Sequence, residues 1–297
     1  MSYQRILLAL DLVQDNPVLV RRAGKFASRC GAKLHLLNVI SPVSLNFWQV
    51  MTPHASQEGM QEILDATFAK LQILKDQLPC EVENISVVTG RVATEIERYA
   101  AEHSCDLLII GHHQTVRFYQ MLQLSMGEEL LTHSNYDLLV LDDEAPFWSE
   151  PIKMLVATDF DERANPLLSR AAALSKVIGA SMSLLYVMDL VQHAKIGLDL
   201  EDEADRVLNE LEQKSEQQIR ELVWQQDYQL DQLKVLRGSV SREIVSQAKS
   251  QQVDLVVMGG QSDEQERLKL GAHAQAVLHQ GGGDVLVLRI PRHGQEL

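Results

Sequence analysis

A stretch of 22 residues occurs twice in this chain. GRVATEIERYAAEHSCDLLIIG at positions 90–111 returns as GSVSREIVSQAKSQQVDLVVMG at 238–259, ungapped and 148 positions later. Eight positions are identical: Gly90, Val92, Glu95, Ile96, Ala100, Asp106, Leu107 and Gly111 match Gly238, Val240, Glu243, Ile244, Ala248, Asp254, Leu255 and Gly259. Each copy reads as a turn, a helix and a buried strand. The glycine permits a tight entry, Val92, Ile96, Tyr99 and Ala100 recur at helical spacing, and 107–110 is an unbroken apolar run. A strand apolar on both faces belongs inside a parallel sheet covered by helices. The same displacement pairs Asp11 with Asp159, Gly31 with Gly179 and Val39 with Val187, so the chain reads as two copies of one α/β unit.

Patterning around the repeat predicts strands at 4–10, 33–39, 83–89 and 137–141, and helices at 17–30, 56–78 and 125–133. The second half repeats the order, with strands at 153–157, 182–187, 233–236 and 285–288. Its helices are expected at 164–178, through Val207 to Leu222, and at 272–279. Five strands alternating with helices call for right-handed crossovers and an open parallel sheet with helices on both faces. The expected boundaries are a first domain at 1–143, a linker at 144–150, a second domain at 151–291 and a frayed tail at 292–297.

The formal charge of −14 divides evenly. Positions 1–148 carry 11 basic and 18 acidic residues, and the remainder 16 and 23. Neither half offers the clustered Lys and Arg that neutralise phosphates, so direct DNA binding is not expected. The opening MSYQRILLALDL lacks a leader pattern, and no apolar run approaches membrane-spanning length. A soluble, cytoplasmic chain with no membrane segment is the expectation. Cys30, Cys80 and Cys105 are odd in number and show no CxxC spacing, which reads as reduced structural thiols.

Ligands of an open parallel sheet bind at the carboxyl ends of the strands, where the strand order reverses. If the first strand neighbours the fourth, Asp11 and Gly111 flank that crevice in one half, and Asp159 and Gly259 in the other. The openings ILLALD and MLVATD, the DLLIIG and DLVVMG strands after their glycine turns, and the closing LLVL and VLVL strands together resemble the universal stress protein family. The resemblance covers nearly the whole chain, twice. It implies two five-stranded sheets of order 3-2-1-4-5, adenine nucleotide alpha-hydrolase-like, paired through their last strands as an internal pseudo-dimer. It also leaves room for a homodimer and for an unknown protein partner.

Relatives that hold ATP resemble one another in a loop after the fourth strand. It runs glycine, two residues, glycine, nine residues, glycine, then Ser or Thr, so that backbone N–H groups meet the phosphates. In the first half Gly111 and Ser125 fit this pattern, while Gln114 and Leu124 stand where the other glycines belong. His112, His113 and Arg117 lie between them. The nucleotide-site residues that the resemblance implies here are Asp11, Val39, Gly111, His113 and Ser125, with ATP or AMP as ligand. In the second half they are Asp159, Val187, Gly259 and Gly271. There Ser262 and Ala272 replace a glycine and the hydroxyl, and Asp263, Glu264 and Glu266 add like charge, which counts against a triphosphate.

No metal site and no catalytic residue can be assigned. His112 and His113 lack a third ligand, and Ser125 lacks both a GxSxG setting and a base. Phe47, Trp48 and Val50 form an apolar cluster that covers the core or a partner. The reading is a non-catalytic stress-response and interaction module that requires no cofactor. By resemblance it supports resistance to starvation, oxidative, envelope or DNA-damage stress. The alternative is an ATP- or AMP-binding switch using the first-half site, with slow hydrolysis or autophosphorylation.

Overall fold

The computed structural model describes residues 3–12, 17–41, 57–111, 134–142, 145, 147–161, 163–189, 201–226, 228–262, 268–269 and 271–290. Two compact units are formed, one built on Ser2–Phe147 and the other on Trp148–Gln261 with Gly271–Leu297. The first contains strands β1 (Arg5–Leu10), β2 (Lys33–Ile40), β3 (Val82–Thr89), β4 (Leu107–Gly111) and β5 (Asp137–Leu141). Its helices are α1 (Pro17–Cys30), α2 (Gln57–Lys75) and α3 (Val92–Glu102). The second contains β6 (Ile152–Thr158), α4 (Ala164–Ile178), β7 (Ala180–Asp189), α5 (Glu201–Gln225), β8 (Gln232–Gly238) and α6 (Val240–Ser250). It continues through β9 (Leu255–Ser262), α7 (Ala272–His279) and β11 (Asp284–Arg289); the two-residue β10 (Leu268–Lys269) follows β9 in the chain, and its segment, Ser262–Leu270, is grouped with the first unit. The helix expected at 125–133 and the cluster at 47–50 lie outside the described residues.

Within the first unit the strands lie in the order β3-β2-β1-β4-β5, and within the second β8-β7-β6-β9-β11. Neighbouring strands within each unit run parallel. Counting the five long strands of each unit from its own start, both orders are 3-2-1-4-5, as the resemblance implied. The central strands are buried, β4 throughout and β1 from Ile6 onward: Ile6, Leu7 and Leu8 on β1 and Leu107 to Ile110 on β4 have apolar side chains on both faces. Burying each such side chain contributes about 1.5–3 kcal/mol, which fixes these strands at the middle of the sheet. No helix among the described residues is long and apolar enough to cross a membrane.

The identities between the halves have local physical causes. Asp106 accepts hydrogen bonds from the backbone N–H groups of Gln4 (2.6 Å) and Arg5 (3.2 Å), which ties the start of β4 to the start of β1. Asp254 does the same in the second unit, accepting from Lys153 N (2.8 Å), Ser149 N (3.0 Å) and the Ser149 hydroxyl. Gly90 and Gly238 have φ of 157° and 148°, and the side chains of Glu95 and Glu243 fold back over them. A Cβ on Gly90 would stand 2.7 Å from Glu95 Cγ. Glycine and glutamate therefore recur as one steric unit. Gly31 and Gly179 follow the first helix of each unit at φ of 66° and 67°, the left-handed conformation that ends a helix with least strain.

One further pair was not read from sequence. Tyr3 donates its hydroxyl to Asp137 at 2.8 Å, and Trp148 donates its indole N–H to Asp284 at 2.6 Å, each joining the start of a unit to the foot of its last strand. Trp148 is 4% exposed.

Candidate functional site

In the second unit the switch in strand order falls between β6 and β9, and a cavity of about 320 Å³ opens there at the carboxyl ends of the strands. Each element supplies a short piece of its wall. The end of β6 contributes Ala157, Thr158 and Asp159, β7 contributes Tyr186, Val187 and Asp189, and β9 contributes Met258, Gly259 and Gly260. The starts of three helices complete the enclosure: Arg163 and Leu167 at α4, Val240 and Ile244 at α6, and Gly271, His273 and Ala274 at α7. This follows from the topology, because the helices after β6 and β9 leave on opposite faces of the sheet and part the chain where they start.

The four positions assigned to this half from sequence, Asp159, Val187, Gly259 and Gly271, all line this one cavity. Val187 is buried, 7% exposed, so it is at once core and wall. An added Cβ on Gly259 would meet Leu167 and Ile290, both lining the cavity, at 3.6 Å, ordinary contact, so the backbone has room for a Cβ there. Gly271 precedes α7 in an extended conformation and has no atom within 4 Å of an added Cβ.

Two of the cavity's polar lining residues, Asp159 and Arg163, form an ion-pair triangle with Asp161, which stands outside the lining. Arg163 donates through Nε to Asp161 at 2.7 Å and through Nη2 to Asp159 at 3.1 Å, with Nη2 also on Asp161. The backbone N–H of Arg163 donates to Asp161 Oδ1 at 2.8 Å, and the turn passes through Phe160 at φ 59°. Burial works upward on both carboxyls. For Asp161 the hydrogen bonds and charge of Arg163 outweigh it and hold the group below the ordinary aspartate value. For Asp159 burial, then the negative charge of Asp161, keep the carboxyl above it. The Asp159 side chain, which lines the cavity, is nonetheless 68% exposed. The Tyr186 ring stands edge-on to Phe160 at 6.0 Å beside it.

In the first unit Asp11 is exposed just after β1, Val39 is half-buried on β2 opposite Val88, and Gly111 is buried at the end of β4 opposite Leu141. His113 and Ser125, like His112 and Arg117, lie outside the described residues. The better-preserved loop in sequence and the cavity that can be described therefore belong to different halves. Among the described residues no group of three or more His, Cys, Asp or Glu could hold a metal ion.

Sequence reading missed Arg163, Tyr186 and His273. The run DFDER at 159–163 carried the signal for the first, since acids at alternate positions followed by arginine can fold into such a triangle.

A second cluster of titratable groups lies in the first unit. His35, 2% exposed, sits with Nδ1 3.3 Å from the Tyr99 hydroxyl and Nε2 3.1 Å from Glu83 Oε2. His103 stacks on the Tyr99 ring at 3.9 Å. Burial pushes the His35 imidazole below its ordinary value, against the hydrogen bond to Glu83. The three cysteines are free thiols, and burial pushes Cys30 and Cys105 up to about 12 and Cys80 to about 11.

Comparison with known proteins agrees with this architecture. The universal stress protein family model matches residues 2–142 and again 152–289. A universal stress protein A homolog of Haemophilus ducreyi is 29% identical over 142 residues, which is 47% of this chain and 96% of that protein. A second such homolog, from Coxiella burnetii, is 31% identical over 148 residues, 46% of this chain and 94% of its own. Among solved structures, a universal stress protein of Archaeoglobus fulgidus aligns at a TM-score of 0.60 and 16% identity over 96% of both chains. A functionally unknown protein of Pseudomonas aeruginosa aligns at 0.65 and 17% identity over 97% of this chain and 93% of that one. Those two structures speak to the fold alone. With one family match in each half, the chain belongs to the universal stress protein family and carries two of its domains.

Proposed function

We propose that the chain is a stress-response module without catalytic turnover, whose second unit senses a small adenine-type ligand and whose surface answers to a protein partner. The observation that carries this reading is the convergence of Asp159, Val187, Gly259 and Gly271 on one cavity at the strand switch. By resemblance, Asp159 and Val187 are the positions beside an adenosine. The wall fits that role: Val187, Ile244 and Met258 offer an apolar face to a flat ring, and Asp159 and Thr158 offer acceptors to hydroxyl groups. Among the described residues that line it, no hydroxyl is hydrogen-bonded to a base, which favours binding over turnover. Work in the cytoplasm belongs to the same reading and agrees with three free thiols.

The test is a thermal shift of the full chain with adenosine, AMP and MgATP, with phosphate release followed in parallel. A ligand present at one hundred times its Kd should stabilise the unit that holds it by about 2.7 kcal/mol, an easily read shift. Release of phosphate above a heat-inactivated control would contradict the non-catalytic reading. The second reading, an ATP or AMP switch in the first unit, draws on Asp11 and Gly111 standing at the ends of adjacent strands β1 and β4. It expects a shift with MgATP that Gly111→Val abolishes.

A further inference from the structure

We infer that the cavity of the second unit selects a neutral nucleoside over its phosphorylated forms, the reverse of what a phosphate-binding loop serves. This rests on reading the cavity as an adenine-type site. The ionisable side chains lining it, among the described residues, are Asp159, Asp189, Arg163 and His273. Arg163 is the natural phosphate ligand of the set, and its hydrogen bonds go to Asp159 and Asp161, two carboxylates for one guanidinium. To reach a phosphate it would have to leave one of them unpaired. The start of α7 offers the ligand roughly half a positive charge, less than either carboxylate sets against it. A triphosphate entering here adds negative charge beside the Asp159 carboxylate, a repulsion that solvent screens at an exposed group but that a neutral ligand does not meet at all.

A nucleoside meets no such opposition. Its ring takes the apolar wall of Val187, Ile244 and Met258, and its vicinal hydroxyls donate to Asp159, which lines the cavity and is 68% exposed. The same carboxylate that repels phosphate is an acceptor for a diol. Asp159 is therefore the specificity-determining residue, and Asp161 a positioning residue that keeps Arg163 occupied.

Calorimetric titration of the full chain with adenosine, AMP and MgATP tests this. Adenosine should bind at least about tenfold more tightly than MgATP, the ratio expected when one carboxylate is placed against the phosphates. Asp161→Asn, on an exposed turn, should release the guanidinium and improve AMP binding about threefold or more relative to adenosine binding in the same variant. Asp159→Asn should weaken adenosine and narrow the gap to MgATP. MgATP binding as tightly as adenosine in the wild-type chain would overturn the inference and leave the adenine-type site standing. Failure of all three ligands to bind would overturn that reading, and this inference with it.

Discussion

Cys30, Cys80 and Cys105 illustrate how far burial alone decides chemistry at a single residue. With their thiols pushed up to about 12, 11 and 12, almost no thiolate exists at neutral pH, and the thiolate is the reactive form. The folded chain should react with a thiol reagent such as DTNB far more slowly than the same chain in denaturant, where all three should titrate. One thiol reacting at the unfolded rate in native buffer would contradict its assigned environment. His35 carries a pH dependence of definite sign. Burial holds its folded value below the ordinary 6.5, so the unfolded chain takes up more protons as pH falls through that point. The stability His35 contributes is full above 6.5 and is lost progressively below it. Urea midpoints measured between pH 7.5 and 5.5 should fall, and His35→Gln should flatten that fall. Lys33 and Arg5, the cations beside Glu83, and His103 share the site and do not reverse the sign.

The repeated turn, helix and strand form the element in which the fold is most legible, because each of its identities answers a backbone need. Asp254→Ala would leave the N–H groups of Ser149 and Lys153 without their charged acceptor and should cost about 2–4 kcal/mol in urea unfolding, with Asp106→Ala comparable in the other unit. An effect below about 0.5 kcal/mol, typical of a surface substitution, would mean that these aspartates do not hold the sheet together. Periodicity located every long strand and each described helix. It erred at ends, where hydrogen bonding continues past the apolar pattern. Strand β7 starts at Ala180, ahead of the expected 182, because Ala180 and Ser181 already pair with Ile152 and Lys153. Helix α2 stops at Lys75, ahead of the expected 78, as Gln77 and Leu78 tighten into three-residue turns onto Leu74 and Lys75 before Pro79. The site was half legible. Asp159 and Gly259 stood out through the repeat, whereas Arg163 did not, since position 15 in the first half is an aspartate and the triangle has no counterpart there.

At the scale of the whole chain, the two domains share a scaffold and differ in what they do with its switch point. Where the second unit presents Tyr186 to the cavity, the first has Asn38, which is buried and gives its amide to the Leu10 carbonyl at 2.8 Å. Where the second follows Gly259 with Gly260, the first follows Gly111 with His112. Duplication preserved strand order, which needs only buried apolar runs and a few clamps, and let the cavity walls diverge, since they bear little of the stability. If the second unit's cavity is the ligand site, closing it should abolish binding and spare the fold. Adenosine titrated calorimetrically into the wild-type chain and into Gly259→Val, with Tm measured on both, tests that most directly. Valine suits a strand and would take up cavity space beside Leu167 and Ile290, so the prediction is an unchanged Tm, within a few degrees, and binding weakened about a hundredfold or lost. Undiminished binding in a stably folded Gly259→Val chain would contradict it.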